Sequence, residues 1–255
     1  MLFPYIISDL IILFFVFILK IRQVFIKIVW HLIIKEEKMI NTTIYIVRHG
    51  QSLGNSTRTF LGHTDLDLSE LGYLQAQATA KELKTVKFDI IYSSDLIRAY
   101  NTAVPQAIMH NLKIIKDKNL REAYAGEWEG MAVDDIIAKW GVDFFRNEWA
   151  GNFGNFIFPS GESVKGAGER FYNEIVDIAE ANMGKTILIC AHAAVIRSFW
   201  AIISGLSFDE IPEKLSFPTN ASYSICSYQN GKIRPISYSN DEHLSNVGIT
   251  KVNLI

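Results

Sequence analysis

Two histidines and two arginines carry the clearest chemistry in this sequence. Arg48-His49-Gly50 follows the β-branched run Thr43 to Val47, His192 closely follows the run Lys185 to Cys190, and Arg98 stands just beyond Phe88 to Tyr92. Guanidinium groups suit an oxyanion because they stay charged and offer paired donors in a planar fork. Imidazole can attack phosphorus directly at neutral pH. Phosphoryl transfer needs an in-line nucleophile, positive charge over the equatorial oxygens and a proton for the leaving alkoxide. Each part has a candidate here. A lone Arg-His-Gly triplet is also found at ordinary strand-to-loop turns, so the weight lies in the combination.

Such residues act together only if the chain folds their strands side by side. Short apolar runs predict strands over 43–47, 88–92 and 185–190, with 113–115 at an edge. Helical patterns follow over 69–83, from Asp95, over 132–148 as one aromatic-rich helix, over 163–183 and over 194–203. Residues 221–228 and 232–238 flank Asn230-Gly231, a strong hairpin signal. Strands alternating with helices predict an α/β fold, a three-layer α/β/α sandwich whose mainly parallel central sheet has helices on both faces. In such sheets ligands bind beyond the carboxyl ends of the strands, where Arg48, His49 and His192 fall.

The 255 residues carry a formal charge of -2 with mixed signs, which leaves no basic block for nucleic acid. Cys190 and Cys226 both lie in apolar runs and cannot form a disulfide framework, so they point to packing and a reducing compartment. Residues 1–38 are apolar and membrane-like, whereas residues 39–255 read as one catalytic domain. Two readings of the first segment compete. As a signal anchor, with Lys20, Arg22 and Lys27 after the first apolar run, it would leave the domain facing the cytoplasm. Alternatively translation starts at Met39, with the codons of Lys35-Glu36-Glu37 serving as a ribosome-binding sequence in a bacterial gene, and the protein is then cytoplasmic. Oligomeric state has no sequence signal.

At this point a family resemblance becomes specific. Arg48-His49-Gly50-Gln51-Ser52 with Asn55, then Gly62, Asp65, Leu68, Gly72, Gln75 and Ala76, resembles the signature of the histidine phosphatase (phosphoglycerate-mutase-like) superfamily. Tyr92 to Ala99, Leu120-Arg121-Glu122 with Gly126, Trp128, Glu129 and Gly130, Pro159 to Ser163, and Ala191 to Arg197 match its further motifs in order, and the tail Asn240 to Leu244 also looks familial. The phosphatase branch, including α-ribazole and broad-specificity phosphatases, is the most similar. The resemblance implies that His49 becomes phosphorylated, that Arg48, Arg98 and His192 hold the transferring group, and that Glu122 is the general acid. Gln51, Asn55 and the Ala193 backbone N–H would complete the anion cradle, with Arg58 a further substrate contact. It implies no cofactor, and no spacing of His and Cys predicts a metal. His63, His110 and His243 read as surface or supporting residues, and Glu127, Glu129 and Glu162 as candidate surface charges.

Three departures from the pattern stand out. Ala193 occupies a position usually held by glycine, Asp67 replaces a usual proline and should loosen its loop, and Thr59 replaces an arginine, with Arg58 one position early. Mutases of the family place a lysine after the third motif and paired arginines in a longer insertion; here Asp134 to Pro159 offers only Lys139 and Arg146. The expectation is therefore hydrolysis of a small-molecule phosphomonoester. A cofactor-dependent mutase and a catalytically silent binding module remain the alternatives. The insertion's aromatics, Trp140, Phe144, Phe145, Trp149, Phe153, Phe156 and Phe158, read first as a lid packed on the core, and second as a pocket wall for a bulky or apolar ester.

Overall fold

The computed structural model describes residues 17–30 and 41–251. The chain divides into two units, Met1–Ile40 and Asn41–Ile255. In the first, residues 17–30 are helical with mostly exposed side chains, and the rest of the anchor-or-leader segment lies outside the described residues. No helix among the described residues is long and apolar enough to cross a membrane.

The second unit is built on a six-stranded sheet of order β3-β2-β4-β1-β5-β6. Its strands are β1 (Thr42–Arg48), β2 (Ile90–Ser94), β3 (Ile114–Asp117), β4 (Thr186–Ala191), β5 (Tyr223–Gln229) and β6 (Lys232–Asn240). The first four run parallel, and β5 and β6 add an antiparallel edge. Ile44 and Ile46 of β1, with Ile187, Ile189 and Ala191 of β4, point into one core; Val47, Leu188 and Cys190 point into the other. The period-2 alternation of a strand buried on both faces produces this division. Helices α1 (Leu53–Ser56), α2 (Glu70–Glu82), α3 (Ile97–His110), α4 (Val133–Trp140), α5 (Val164–Ala181) and α6 (Ala193–Ser204) complete the main elements. Among them α5 and α6 bury residues in the first core, and α3 buries Ala103 in the second.

Register decides the site. In the β1–β4 ladder Arg48 sits opposite Ala191, so His49 and His192 leave neighbouring parallel strands at the same level. Because β1 also pairs antiparallel with β5, Val47 opposite Tyr223, the loop before β5 arrives at that same end. Asn230 (φ 54°) and Gly231 (φ 73°) form the two-residue β5–β6 turn, the left-handed pair that an Asn-Gly hairpin requires. Both cysteines are buried within strands, and burial pushes each thiol well above its ordinary range, as packing residues require.

Several expected boundaries move. The expected helix 132–148 breaks at Gly141 (φ 93°), where a left-handed residue ends α4; a helical turn Val142–Phe144 and a wider π-type turn Phe145–Ala150 follow. Strand β2 begins two residues late, because Asp89 meets Thr186 through its backbone N–H and its carboxylate before the ladder starts. Helix α3 begins at Ile97 rather than Asp95, since the Asp95 carboxylate is held by Arg121 at 2.6 and 2.7 Å. Asp67 tightens its loop instead of loosening it. Its carboxylate accepts from the Leu68 N–H, Asn101 Nδ2 and the Tyr73 hydroxyl.

Gly72, in the first turn of α2, shows why a motif glycine is needed. A Cβ there would stand 2.0 Å from the Gln51 carbonyl oxygen, so the loop after β1 and α2 touch backbone to backbone. Alanine elsewhere in a helix gains up to about 1 kcal/mol over glycine. We expect Gly72→Ala to cost roughly 1–3 kcal/mol through the clash instead, read from the urea midpoint; a midpoint equal to or above wild type contradicts the packing described.

Candidate active site

The carboxyl ends of β1 and β4, the start of α3, the start of α6 and the loop before β5 enclose one cavity. Arg48, His49, Asn55, Arg58, Arg98, Glu122 and Ala193 all line it. His192 does not, being fully buried with its ring centre 5.2 Å from that of His49. Gln51 does not line it either, since its side-chain oxygen accepts from Ser69 Oγ at the cap of α2 (2.7 Å).

His49 is set by one contact. Its Nδ1 lies 2.7 Å from the Gly50 carbonyl oxygen. A carbonyl only accepts, so Nδ1 carries the proton and Nε2 keeps its lone pair. Burial, then the positive charges of Arg98 and Arg48, holds the His49 pKa well below the ordinary imidazole value, so the ring is neutral. His192 is held neutral in the same way, by burial first and then by Arg98.

The guanidiniums are buried against backbone carbonyls. Arg48 Nη1 donates to Pro218 O (2.7 Å), while Arg98 donates from Nη1 to Thr64 O (2.9 Å) and from Nη2 to Gly62 O (2.7 Å). Desolvation lowers the pKa of each to about 10, which leaves both cationic at neutral pH. Arg48 Nε, Arg98 Nε and both ring nitrogens of His192 have no hydrogen-bond partner among the described residues. An unsatisfied buried polar group costs about 1–3 kcal/mol. Several donors left open around one cavity are what an oxyanion site looks like.

Glu122 lies across this group with its carboxylate on the first turn of α6. The backbone N–H groups of Ala194 (3.0 Å), Val195 (3.2 Å) and Ala123 (3.0 Å) donate to it. Asn55 uses its side-chain oxygen to accept from the Ser52 N–H and Asn220 Nδ2, so its amide nitrogen is the group it can offer an anion. Ala193 sits at the first position of α6 with its methyl against the cavity. Arg58, in a left-handed conformation (φ 55°), is mostly exposed and reaches Asp134 only at 3.5 Å.

Positioning residues emerge that composition and spacing did not single out. Glu129 is not a surface charge: its carboxylate accepts from the backbone N–H groups of His63, Thr64 and Ala125, and so fixes the loop whose carbonyls hold Arg98. Glu162 pairs with Arg170, and Arg170 donates to the carbonyls of Arg121 and Glu122, which secures the Glu122 loop. Glu127, by contrast, pairs with Lys139 at the surface. His63 Nε2 meets the Glu122 carbonyl and His243 Nε2 meets Thr79 Oγ1, so both are supporting residues, while His110 packs edge-on against Phe88. Asn220 donates to the His49 carbonyl, and Ala221, left-handed at φ 58°, donates its N–H to the carbonyls of Arg48 and His49. The signal for these last two was the pairing of β5 with β1, which places residues before Tyr223 at the end of β1.

Aromatic side chains form the rest of the wall. Phe60, Phe145, Trp149, Phe158 and Phe217 line the cavity. Phe145, Trp149 and Phe158 also belong to the buried core around Trp128, whose ring stands 5.2 to 6.5 Å from those of its aromatic neighbours. Of the insertion's seven aromatics these three reach the cavity, whereas Trp140, Phe144, Phe153 and Phe156 do not line it and pack on the core. Arg197 stacks 4.2 Å from the Phe217 ring and holds that residue from behind.

Residues 44–241 match the family model described as the histidine phosphatase superfamily, branch 1. The chain belongs to that superfamily. Among curated relatives, it is 32% identical over 183 residues to phosphoserine phosphatase 1 of Hydrogenobacter thermophilus, covering 71% of this chain and 84% of the relative. It is 34% identical over 182 residues to a 2,3-bisphosphoglycerate-dependent phosphoglycerate mutase of Brucella anthropi, covering 68% and 86%. A solved mycobacterial glucosyl-3-phosphoglycerate phosphatase superposes with a TM-score of 0.71 at 28% identity, covering 77% of this chain and 98% of that one. Family membership and these relatives make the chain a phosphatase or a mutase.

The neutral histidines have a consequence for stability. In the unfolded chain each titrates near about 6.5, but in the fold each titrates lower. The unfolded state thus binds more protons below that value, so the stability contribution is complete above pH 6.5 and is lost as pH falls toward the folded pKa. We expect the urea midpoint to drop between pH 7 and 5, and to drop less in the double variant His49→Gln, His192→Gln. An equally steep drop in the variant would show that these two rings are not the groups involved.

Proposed function

We propose that the protein hydrolyses a small-molecule phosphomonoester, without a metal ion, through a phosphohistidine on His49. The observation that carries this is the Nδ1 contact to Gly50, which leaves a neutral Nε2 in a cavity flanked by two guanidiniums. In the first step the Nε2 lone pair forms a bond to phosphorus as the ester P–O bond breaks. Glu122, as general acid, gives a proton to the departing alkoxide. Arg48, Arg98 and Asn55 take up charge on the equatorial oxygens, the part of the work that needs the least motion in a preorganised site. In the second step Glu122 accepts a proton from water, the water oxygen bonds to phosphorus, and the N–P electron pair returns to Nε2.

Hydrolysis rather than mutase action is supported by the insertion. Neither Lys139 nor Arg146 lines the cavity, and Lys139 is turned to Glu127 on the surface. The names of the phosphatase relatives agree with this reading, whereas that of the Brucella relative favours the mutase. The aromatic wall supports an ester with an apolar portion. The intact set of His49, Arg48, Arg98 and Glu122 weighs against a catalytically silent module.

Phosphate release from a panel of phosphomonoesters, with and without chelator, tests the proposal. We expect release that persists in chelator, loss of both turnover and acid-labile phosphoenzyme in His49→Ala, and a fall of about 10²–10⁴ in kcat for Glu122→Gln. Turnover retained in His49→Ala refutes the nucleophile. Interconversion of 3- and 2-phosphoglycerate without net phosphate release would make the protein a mutase.

A further inference from the structure

Residues 215–220, just before β5, connect the apolar wall of the cavity to its charged end. Phe217 lines the wall, the Pro218 carbonyl accepts from Arg48 (2.7 Å), and the Asn220 side-chain amide donates to the His49 carbonyl (3.0 Å) and to Asn55 Oδ1 (3.1 Å). The segment forms no helix or strand, so its position depends on what grips it. One grip comes from α6. Arg197 donates from Nε to Leu215 O (2.7 Å) and from Nη2 to Ile211 O (3.0 Å), and its guanidinium stands 4.6 Å from the Phe153 ring and 4.2 Å from the Phe217 ring. This buried cation has no carboxylate at ion-pair distance among the described residues, an arrangement that is costly to fold.

The second grip comes from the end of β6. The Tyr238 hydroxyl donates to Ser216 O (2.7 Å), Ser239 Oγ accepts from the Thr219 N–H (3.1 Å), and the Asp241 carboxylate accepts from Thr219 Oγ1 (2.9 Å). From the pair Tyr223–Asn240 to the pair Ile225–Ser237, β6 advances one residue more than β5, and Ser239 takes a left-handed backbone (φ 50°). Such a bulge re-aims side chains, and its left-handed residue is strained when it is not glycine. Burial pushes the Tyr238 hydroxyl above its ordinary pKa while Arg197 and Arg48 pull it down, so it stays a donor within charge reach of both guanidiniums. Neither Arg197 nor Tyr238 lines the cavity. We infer that Arg197 and Tyr238 are positioning residues that set Phe217 and Arg48 together, so that one clamp governs the grip on the apolar part of an ester and on its phosphate. This rests on the site being a phosphoester site, and it places the control of ester preference outside the cavity.

Calorimetry on the full chain with phenylphosphonate and methylphosphonate, whose C–P bond is not transferred, tests the clamp. We expect wild type to bind the phenyl probe about tenfold more tightly. Tyr238→Phe keeps the ring against Trp200, 5.1 Å away, and loses only the bond to Ser216. The phenyl-to-methyl ratio should fall about threefold in Tyr238→Phe, and to within about twofold of unity in Arg197→Met. Methylphosphonate itself should bind about threefold more weakly in both variants, because Arg48 loses its fixed carbonyl. Urea midpoints of the same proteins separate positioning from bulk stability. A merely structural role lowers the midpoint and leaves the ratio at its wild-type value, since both probes meet the same folded protein, and that result overturns the inference. No phenyl preference in wild type also overturns it. If Arg197→Met does not fold, the ratio in Tyr238→Phe decides alone. Phosphate release is scored separately on the wild-type protein: release with an unmoved ratio sinks this inference alone, and a moved ratio without release sinks the hydrolase reading alone.

Discussion

Two guanidinium groups lie almost entirely out of water at one end of the sheet, held by backbone carbonyls. Burying a charge without a full counter-ion is costly, and the remaining structure accommodates that cost in stages. Carbonyls of Pro218, Gly62 and Thr64 satisfy some donors, Glu122 contributes the one carboxylate among the cavity-lining residues, and the adjacent imidazoles are kept neutral by burial first and by the nearby positive charge second. A neutral His49 with its proton on Nδ1 keeps its Nε2 lone pair, the state that the proposed attack on phosphorus needs. The surroundings that would hold a phosphate therefore also set the ring in that state.

That arrangement depends on short loops behaving as rigid parts. Glu129 fixes the Gly62–Thr64 loop under Arg98, Arg170 fixes the Glu122 loop, and Ala221 with Asn220 fixes the carbonyls of Arg48 and His49. Each of these supports is a polar side chain or strained backbone position bonded to main chain, and each leaves the catalytic side chain free on the cavity side. The aromatic cluster around Trp128 does the equivalent work for the apolar wall. Because Phe145, Trp149 and Phe158 are both core and wall, truncating one would change pocket shape and stability together.

The parallel sheet and the place of Arg48 and His49 at its carboxyl end were legible in the sequence, because apolar runs ending in polar residues report both, whereas Arg98, Glu122 and Ala193 were drawn to the same site by the resemblance of their motifs to the family's. His192 was legible as a member but not in depth; a residue's place behind another follows from packing. Gln51 was misplaced for a similar reason. Its type suits an anion, yet the cap of α2 takes its side-chain oxygen first. The single aromatic helix failed at Gly141, whose left-handed backbone outweighs the helical pattern around it. Glu129, Arg170 and Asn220 were invisible as positioning residues because they act across long sequence separations, through contacts that no local pattern encodes.

The account turns on the protonation of one ring, and long-range proton–nitrogen NMR of the imidazole of His49 reads it directly. At pH 6.5, about where an ordinary imidazole is half protonated, the structure requires a predominantly neutral ring with the proton on Nδ1 and an unprotonated Nε2. A cationic ring at that pH, or a neutral ring protonated on Nε2, would contradict it.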